Sequence, residues 1–442
     1  MRGGSGPVST APRPDSLRQL VEPNRVHRSV YTDPAIFELE MERIWGSAWI
    51  YIGHDSQVPE PGDFITTELG LDPVIMVRGD DRQVRVLFNR CAHKGVQVTA
   101  CAAGNTDSFR CPYHGWTYRR DGGLRGLPAR EGYDNTGLEA GDPRFGLAPV
   151  AQVDDIRGFV FATKSAAAPD LRTFLGEAAL TLENIADRAP EGRVECAGGR
   201  LRYKHPSNWK MFVENLNDAM HPMIAHGSVG MAARKYMQSQ PEGTQYPGEA
   251  EIIFPFGSSY EFFDKMGVTG LPYGHGYMGG EMSIHTAYSD IPGYWEAMVD
   301  AYGEERTKAI LSSNRHNTIF YPSFTAKDAV QAVRVVRPRA VDETVIETYH
   351  FRLVGAPDEM LERTLLYSRL INSSSGMVGP DDLDCYHRMQ QALKSDASDW
   401  VDMRRYIDHD EVTDGKRTGR GTSDLTFRNQ YAAWLEFMTT EA

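Results

Sequence analysis

From Asn208 to His226 the chain reads Asn-Trp-Lys-Met-Phe-Val-Glu-Asn-Leu-Asn-Asp-Ala-Met-His-Pro-Met-Ile-Ala-His, and its apolar and polar positions fall into two stripes. Trp209, Phe212, Val213, Leu216, Ala219 and Met220 recur at steps of three and four, the spacing of one helical face. Lys210, Glu214, Asn217, Asp218 and His221 form a second stripe at the same period. Asp218 and His221, three apart, share a face. Pro222 lacks the N–H that would reach the carbonyl of Asp218, so the pattern predicts a break there. In a straight helix His226 would stand roughly 140° around the axis from His221; a break lets it swing back.

Elsewhere the pattern predicts two textures. Asp33-Pro34 caps a helix running through Trp45, with Ile36, Phe37, Ile44 and Trp45 turned to the core. From Trp49 come short β-like runs at 74–77, 84–88, 109, 116–118 and 159–161, with Gly79-Asp80-Asp81 as a hairpin turn. After Pro169 the chain turns helical. Residues 332–336 and 345–354 read as antiparallel neighbours joined around Asp342, and a last helix follows Pro380. The expected fold class is α+β: an all-β block inserted into a larger mixed domain. Its divisions are 1–47 (tail and helix, part of the larger domain), 48–163 (the β block) and 164–442.

Length and charge narrow the function. A chain of 442 residues carries two or three domains and a sizeable core. A formal charge of −13 excludes a phosphate-backbone partner, so no nucleic acid is expected. No apolar run approaches the ~20 residues of a membrane span. The start, Met-Arg-Gly-Gly-Ser-Gly-Pro, lacks the apolar centre of a secretory signal and reads as a tail, with order from about Val26. Five scattered cysteines make no disulfide framework, and a reducing cytoplasm is the expected location.

The candidate chemistry lies in two places. Cys91-Ala-His93 is followed, seventeen residues on, by Cys111-Pro-Tyr-His114. Zinc accepts two thiolates and two imidazoles, and a zinc-binding structural module is the alternative of a different class. Zinc sites, however, pair Cys with Cys and His with His along the chain. The mixed pairing suits a [2Fe–2S] centre with two cysteines on one iron and two histidines on the other. Cys101, with no histidine two residues on, reads as a plain buried thiol. Downstream, His221 and His226 beside a carboxylate are two-thirds of a 2-His-1-carboxylate iron site. The same residues also suit an amphipathic helix with a solvated polar face.

Arg90-Cys-Ala-His-Lys-Gly and Cys111-Pro-Tyr-His-Gly-Trp-Thr-Tyr closely resemble the two halves of a Rieske cluster motif. Asn208-Trp-Lys, Glu214-Asn215, Asp218, His221 and His226 resemble the mononuclear-iron motif of Rieske non-haem iron oxygenases, the α subunits of aromatic-ring-hydroxylating dioxygenases. The resemblance extends from about residue 26 to 440, both motifs in the family's order; Lys94 replaces a more usual Arg and keeps the charge. It implies a Rieske domain inserted into a helix-grip catalytic domain with a curved antiparallel sheet. It implies a [2Fe–2S] cluster, a mononuclear Fe(II), O₂ as co-substrate, and electrons from NADH through a reductase or ferredoxin. It also implies a homotrimer, or an α3β3 assembly with a small β subunit.

By that resemblance Cys91, His93, Cys111 and His114 hold the cluster, and His221 and His226 hold the iron. Asp218 corresponds to the family's bridging aspartate, bonded to His221 and to His114 of a neighbouring subunit. The third iron ligand corresponds best to Asp382 in Gly376-Met-Val-Gly-Pro-Asp-Asp-Leu-Asp. Asp381, Asp382 and Asp384 also suit a helix N-terminus, and successive helical residues diverge by about 100°, so only one of the first two faces a pocket squarely. Asn215, Leu216, Met220, Asn317, Met377 and Val378 are the expected pocket residues. The spacing from Glu214-Asn215 to Asp218 resembles the benzoate, salicylate and terephthalate group, which points to an aromatic carboxylate; a monooxygenase acting on a quaternary amine is the alternative substrate class.

Overall fold

The structure, a computed structural model, describes residues 14–139, 141–280, 282–284 and 290–440. The chain forms two units: Trp45–Phe174 with Val194–Cys196, and the remainder.

The first unit is built of short antiparallel strands. Val84–Phe88, Asp72–Arg78, Asp63–Leu69 and Ala103–Asn105 form a four-stranded sheet in that order. The turn between its first two hairpin strands closes on Gly79, whose N–H bonds to the Gln83 carbonyl at 2.9 Å. Leu124–Gly126, Thr117–Tyr118 and Phe109–Arg110 make a second sheet; Gln152–Ile156, Phe159–Thr163 and Ile50–His54 a third. Phe64, Ile75, Val77, Leu87, Phe109, Trp116 and Tyr118 pack into one core that also buries Cys91 and Cys111.

The second unit carries a nine-stranded sheet ordered Val194–His205, Glu343–Leu353, Ala332–Ala340, Phe324–Lys327, Asn314–Phe320, Gly276–Gly280, Val268–Gly270, Lys416–Gly419 and Glu411–Thr413. The expected pair around Asp342 is its second and third strands, closing with Ala340 opposite Glu343. Among the described residues no helix is long and apolar enough to cross a membrane.

Four expectations change. Helix Pro34–Arg43, capped by Asp33 accepting from the Ala35 N–H at 2.8 Å, stops before Trp45. Order begins ahead of Val26: helix Pro14–Arg18 buries Leu17 completely, and Arg25–His27 pairs with Trp400–Asp402. Gly379–Ala392 is not the last helix. Leu425–Thr439 follows it, and its buried residues mix Tyr431, Trp434 and Met438 with Arg428, Asn429 and Gln430, which hides the apolar stripe from a periodicity reading.

The fourth change concerns Asn208–His226. Helix Trp209–Asn215, capped by the Asn208 side chain, ends early, and a new helix His221–Ala225 starts with Pro222 in its first turn. The break therefore precedes Pro222, where a missing N–H leaves nothing unsatisfied. Nor is the polar stripe solvated. Lys210 and Glu40 are both fully buried and paired at 2.6 Å, and Glu40 also accepts from the indoles of Trp209 at 2.9 Å and Trp434 at 2.7 Å. One turn on, Glu214 accepts from the hydroxyls of Tyr31 and Tyr431, and burial pushes its carboxyl up to about 7.

Candidate metal centres

Two loops of the first unit repeat one turn. Gly95 N–H bonds to the Cys91 carbonyl at 2.9 Å and Cys91 N–H to the Val96 carbonyl at 2.8 Å; Gly115 and Trp116 serve Cys111 likewise at 3.1 and 2.7 Å. Each turn needs positive φ at its fourth step, 76° at Gly95 and 73° at Gly115, where a side chain would be strained. The repeat sets His93 and His114 side by side, ring centroids 4.6 Å apart, with His93 stacked on Trp116 at 5.1 Å. Both cysteines are buried, and Cys91 Sγ lies 3.0 Å from the Tyr118 hydroxyl. His93 Nδ1 is a buried nitrogen with no hydrogen-bond partner, the state of an atom reserved for a metal. Two thiols and two imidazoles, one ligand atom bare, fit a Rieske cluster. Cys101 is exposed rather than buried, because it leads into Ala103–Asn105, an edge strand exposed throughout.

In the second unit the short helix His221–Ala225 and the turn after it present His221 and His226, and helix Gly379–Ala392 presents Asp382. One ligand atom from each of the three lies within 4.8 Å of the others. Asp382 Oδ1 stands 3.1 Å from His226 Nε2 and 3.5 Å from His221 Nε2. His226 Nε2 is a buried nitrogen whose nearest oxygen is that carboxylate. Three donor atoms gathered this closely fit a facial triad.

Carboxylates also stand behind the two rings. Asp381 Oδ2 lies 3.2 Å from His226 Nδ1, and Asp218 Oδ2 lies 3.7 Å from His221 Nδ1. Asp218 also accepts from the Met220 N–H at 2.7 Å. Burial alone would raise the Asp218 pKa; the neighbouring His221 imidazole outweighs it and holds the carboxyl below its ordinary value. Successive residues on one helix thus divide the work as their divergence requires. Asp382 faces both Nε2 atoms and Asp381 the back of one ring, a partnership the sequence reading missed, although the adjacent acidic pair was its signal. Asn215 Nδ2 bridges His221 Nε2 at 3.1 Å and Asp382 Oδ1 at 3.2 Å.

A cleft opens beside the triad. Asn215, Leu216, Asn317 and Val378 line it, whereas Met220 and Met377 do not. Met220 is spent on entering the short helix, its N–H on Asp218, and Met377 is 45% exposed on a turn closed by its own N–H to the Leu370 carbonyl. Lys327 and Arg334 line the same cleft without a sequence signal, since strand register alone brings them there.

The chain matches the Rieske [2Fe-2S] domain over residues 48–140 and the ring-hydroxylating α-subunit catalytic domain over 196–422. It is 31% identical to the biphenyl dioxygenase α subunit of Metapseudomonas furukawaii, across 86% of this chain and 83% of that one. It is 29% identical to the anthranilate 1,2-dioxygenase large subunit of Acinetobacter baylyi, across 86% and 80%. The fold is similar to naphthalene 1,2-dioxygenase from Rhodococcus sp., with TM-score 0.76, 22% identity and 95% of each chain covered. The chain belongs to the ring-hydroxylating dioxygenase α subunits, oxidoreductases that carry a Rieske [2Fe–2S] cluster and a mononuclear iron.

Proposed function

We propose that this α subunit is the terminal oxygenase of a multicomponent system that hydroxylates an aromatic carboxylate with O₂. Its electrons come from NADH through a reductase, with or without a ferredoxin, and it works as a homotrimer or as α3β3. The observation that carries the reading is the convergence of His221, His226 and Asp382 at the foot of a cleft walled by the apolar side chains of Leu216, Phe256, Phe263, Ile371 and Val378. In it, Cys91, His93, Cys111 and His114 hold the cluster, and His221, His226 and Asp382 hold the iron. When bound, the two groups supply one-electron transfer and O₂ chemistry.

The protein's own residues position and tune. Asp381 and Asp218, behind the two imidazoles, fix ring orientation and raise ligand basicity. Asp218 is additionally the bridge to a neighbouring subunit's cluster. Asn215 holds His221 and Asp382 to one side, leaving the cleft side for substrate. The aromatic-acid reading is supported by the spacing from Glu214-Asn215 to Asp218 and by likeness to a protein named anthranilate 1,2-dioxygenase.

The test is oxygen uptake and product analysis with a reductase, across aromatic acids, neutral arenes and quaternary amines. Hydroxylated products from acids are expected. Products from neutral arenes alone overturn the substrate class. Demethylated amine products favour the monooxygenase reading.

A further inference from the structure

The cleft beside the triad holds two cationic side chains on adjacent strands. Lys327 ends Phe324–Lys327, and Arg334 lies on Ala332–Ala340, which pairs with it antiparallel. Lys327 is 4% exposed. Its ammonium faces the Tyr367 ring at 5.6 Å, and among the described residues no carboxylate lies within ion-pair reach of it or of Arg334. Arg334 is held from behind: it donates to Asn317 Oδ1 at 3.2 Å, Asn317 donates to the Leu216 carbonyl at 2.6 Å, and its guanidinium lies over Phe212 at 5.1 Å. Its Nε is buried with no acceptor.

Buried charges in proteins are paired, because an isolated one loses its hydration without return. Lys327 is such a group, and the half-buried Arg334 beside it is held in place through Asn317 and the Leu216 carbonyl; the Asp382 carboxylate of the same cleft acts on Lys327 only from beyond ion-pair distance, which leaves the pair room for an anion of its own. Burial, then the charge of Arg334, holds the Lys327 ammonium well below its ordinary pKa, against the opposing pull of the Asp382 carboxylate, and an anion between the two cations offsets the second effect.

We propose that Lys327 and Arg334 form a carboxylate clamp that takes the acid group of an aromatic substrate. The inference rests on the aromatic-acid reading and names its specificity-determining residues. Guanidinium and carboxylate match as planar forks, and the ammonium adds a point charge. The ring then occupies the apolar part of the cleft, among Leu216, Phe256, Phe263, Ile371 and Val378, open to the triad. The same pair repels a quaternary ammonium head, which would need an aromatic cage instead.

Equilibrium binding by calorimetry to the purified oxygenase tests the clamp with three probes: benzoate, its neutral isostere benzamide, and inorganic phosphate. Wild type binds benzoate more tightly than benzamide. Lys327→Met and Arg334→Met each weaken benzoate roughly tenfold to a hundredfold, the worth of a charge-assisted hydrogen bond, and move benzamide by less than about threefold. Lys327→Met also raises the melting temperature, because it replaces a buried amine that has no ion-pair partner with an apolar side chain of similar length. Should Arg334→Met fail to fold, Arg334→Lys keeps the charge, loses the fork and gives an intermediate loss.

Equal wild-type binding of the two benzene probes overturns the clamp, as does no benzoate binding or benzoate affinity unchanged in both variants. Phosphate binding without benzoate binding marks an inorganic anion site and also overturns it. Turnover of aromatic acids with unchanged benzoate affinity in the variants sinks the clamp alone; turnover of neutral arenes only sinks the underlying reading.

Discussion

In the proposed facial triad, a single carboxylate position separates ligand from support. Asp382→Ala removes the anionic member of the facial triad, so the mononuclear iron should be lost while the cluster's visible absorption stays. Asp381→Asn keeps the triad but takes the charge from behind His226, for which a loss of about tenfold to a hundredfold in iron affinity is expected. Iron titration of the two purified variants checks both; if Asp381 is the variant that loses iron outright, the ligand assignment is off by one. In the first unit, Tyr118 touches Cys91 Sγ at 3.0 Å, and burial first, then that sulfur, raises its pKa and keeps the proton on the hydroxyl. Donation to a metal-bound thiolate favours the reduced cluster. Tyr118→Phe should therefore lower the reduction potential by on the order of tens of millivolts, read by spectroelectrochemistry.

At the scale of elements, the helix Trp209–Asn215 is secured by what it buries rather than by its propensity. Lys210→Met strands the carboxylate of Glu40 in a dry site and should destabilise the protein by about 3–5 kcal/mol, with Glu40→Gln in the same chain recovering part of it. Urea unfolding of the single and double variants is the measurement. One turn along the helix, Glu214 keeps its proton to about 7 in the folded state, against an ordinary value of 4.5. The folded chain therefore binds more protons across that window, and stability falls as pH rises through it. Glu214→Gln should flatten this slope between the two ends of the window; an unchanged slope means another group carries it. A spacing rule finds the period of this helix correctly but cannot tell a buried polar stripe from a wet one, because the partners Glu40, Tyr31 and Tyr431 come from distant segments.

At the scale of the whole molecule, the two centres depend on separable sets of residues. Mild chelation of the purified protein should remove about one iron per chain, keep the two irons and two sulfides of the cluster, and abolish oxygen uptake until Fe(II) is restored. Asp218→Asn should keep both centres and a reducible cluster yet lose most turnover, since the carboxylate behind His221 goes. Single-turnover oxidation of the cluster at the wild-type rate would remove Asp218 from the electron path.

Local chemistry determined much of this protein without its coordinates. Two Cys–His pairs at short spacing, each followed by a glycine, define a turn by backbone sterics alone, and their mixed order already favours an iron–sulfur centre over zinc. Strands 84–88, 332–336 and 345–354 were legible for the same reason: their hairpins close through contacts near in sequence. Tertiary structure decided what depends on distant partners. It made Cys101 exposed, set the helix break ahead of Pro222, buried Lys210, and put Asp381 behind His226. It also brought Lys327 and Arg334 into one cleft, since which face of a strand meets a site is settled by register and packing across the sheet, not by the strand's own residues.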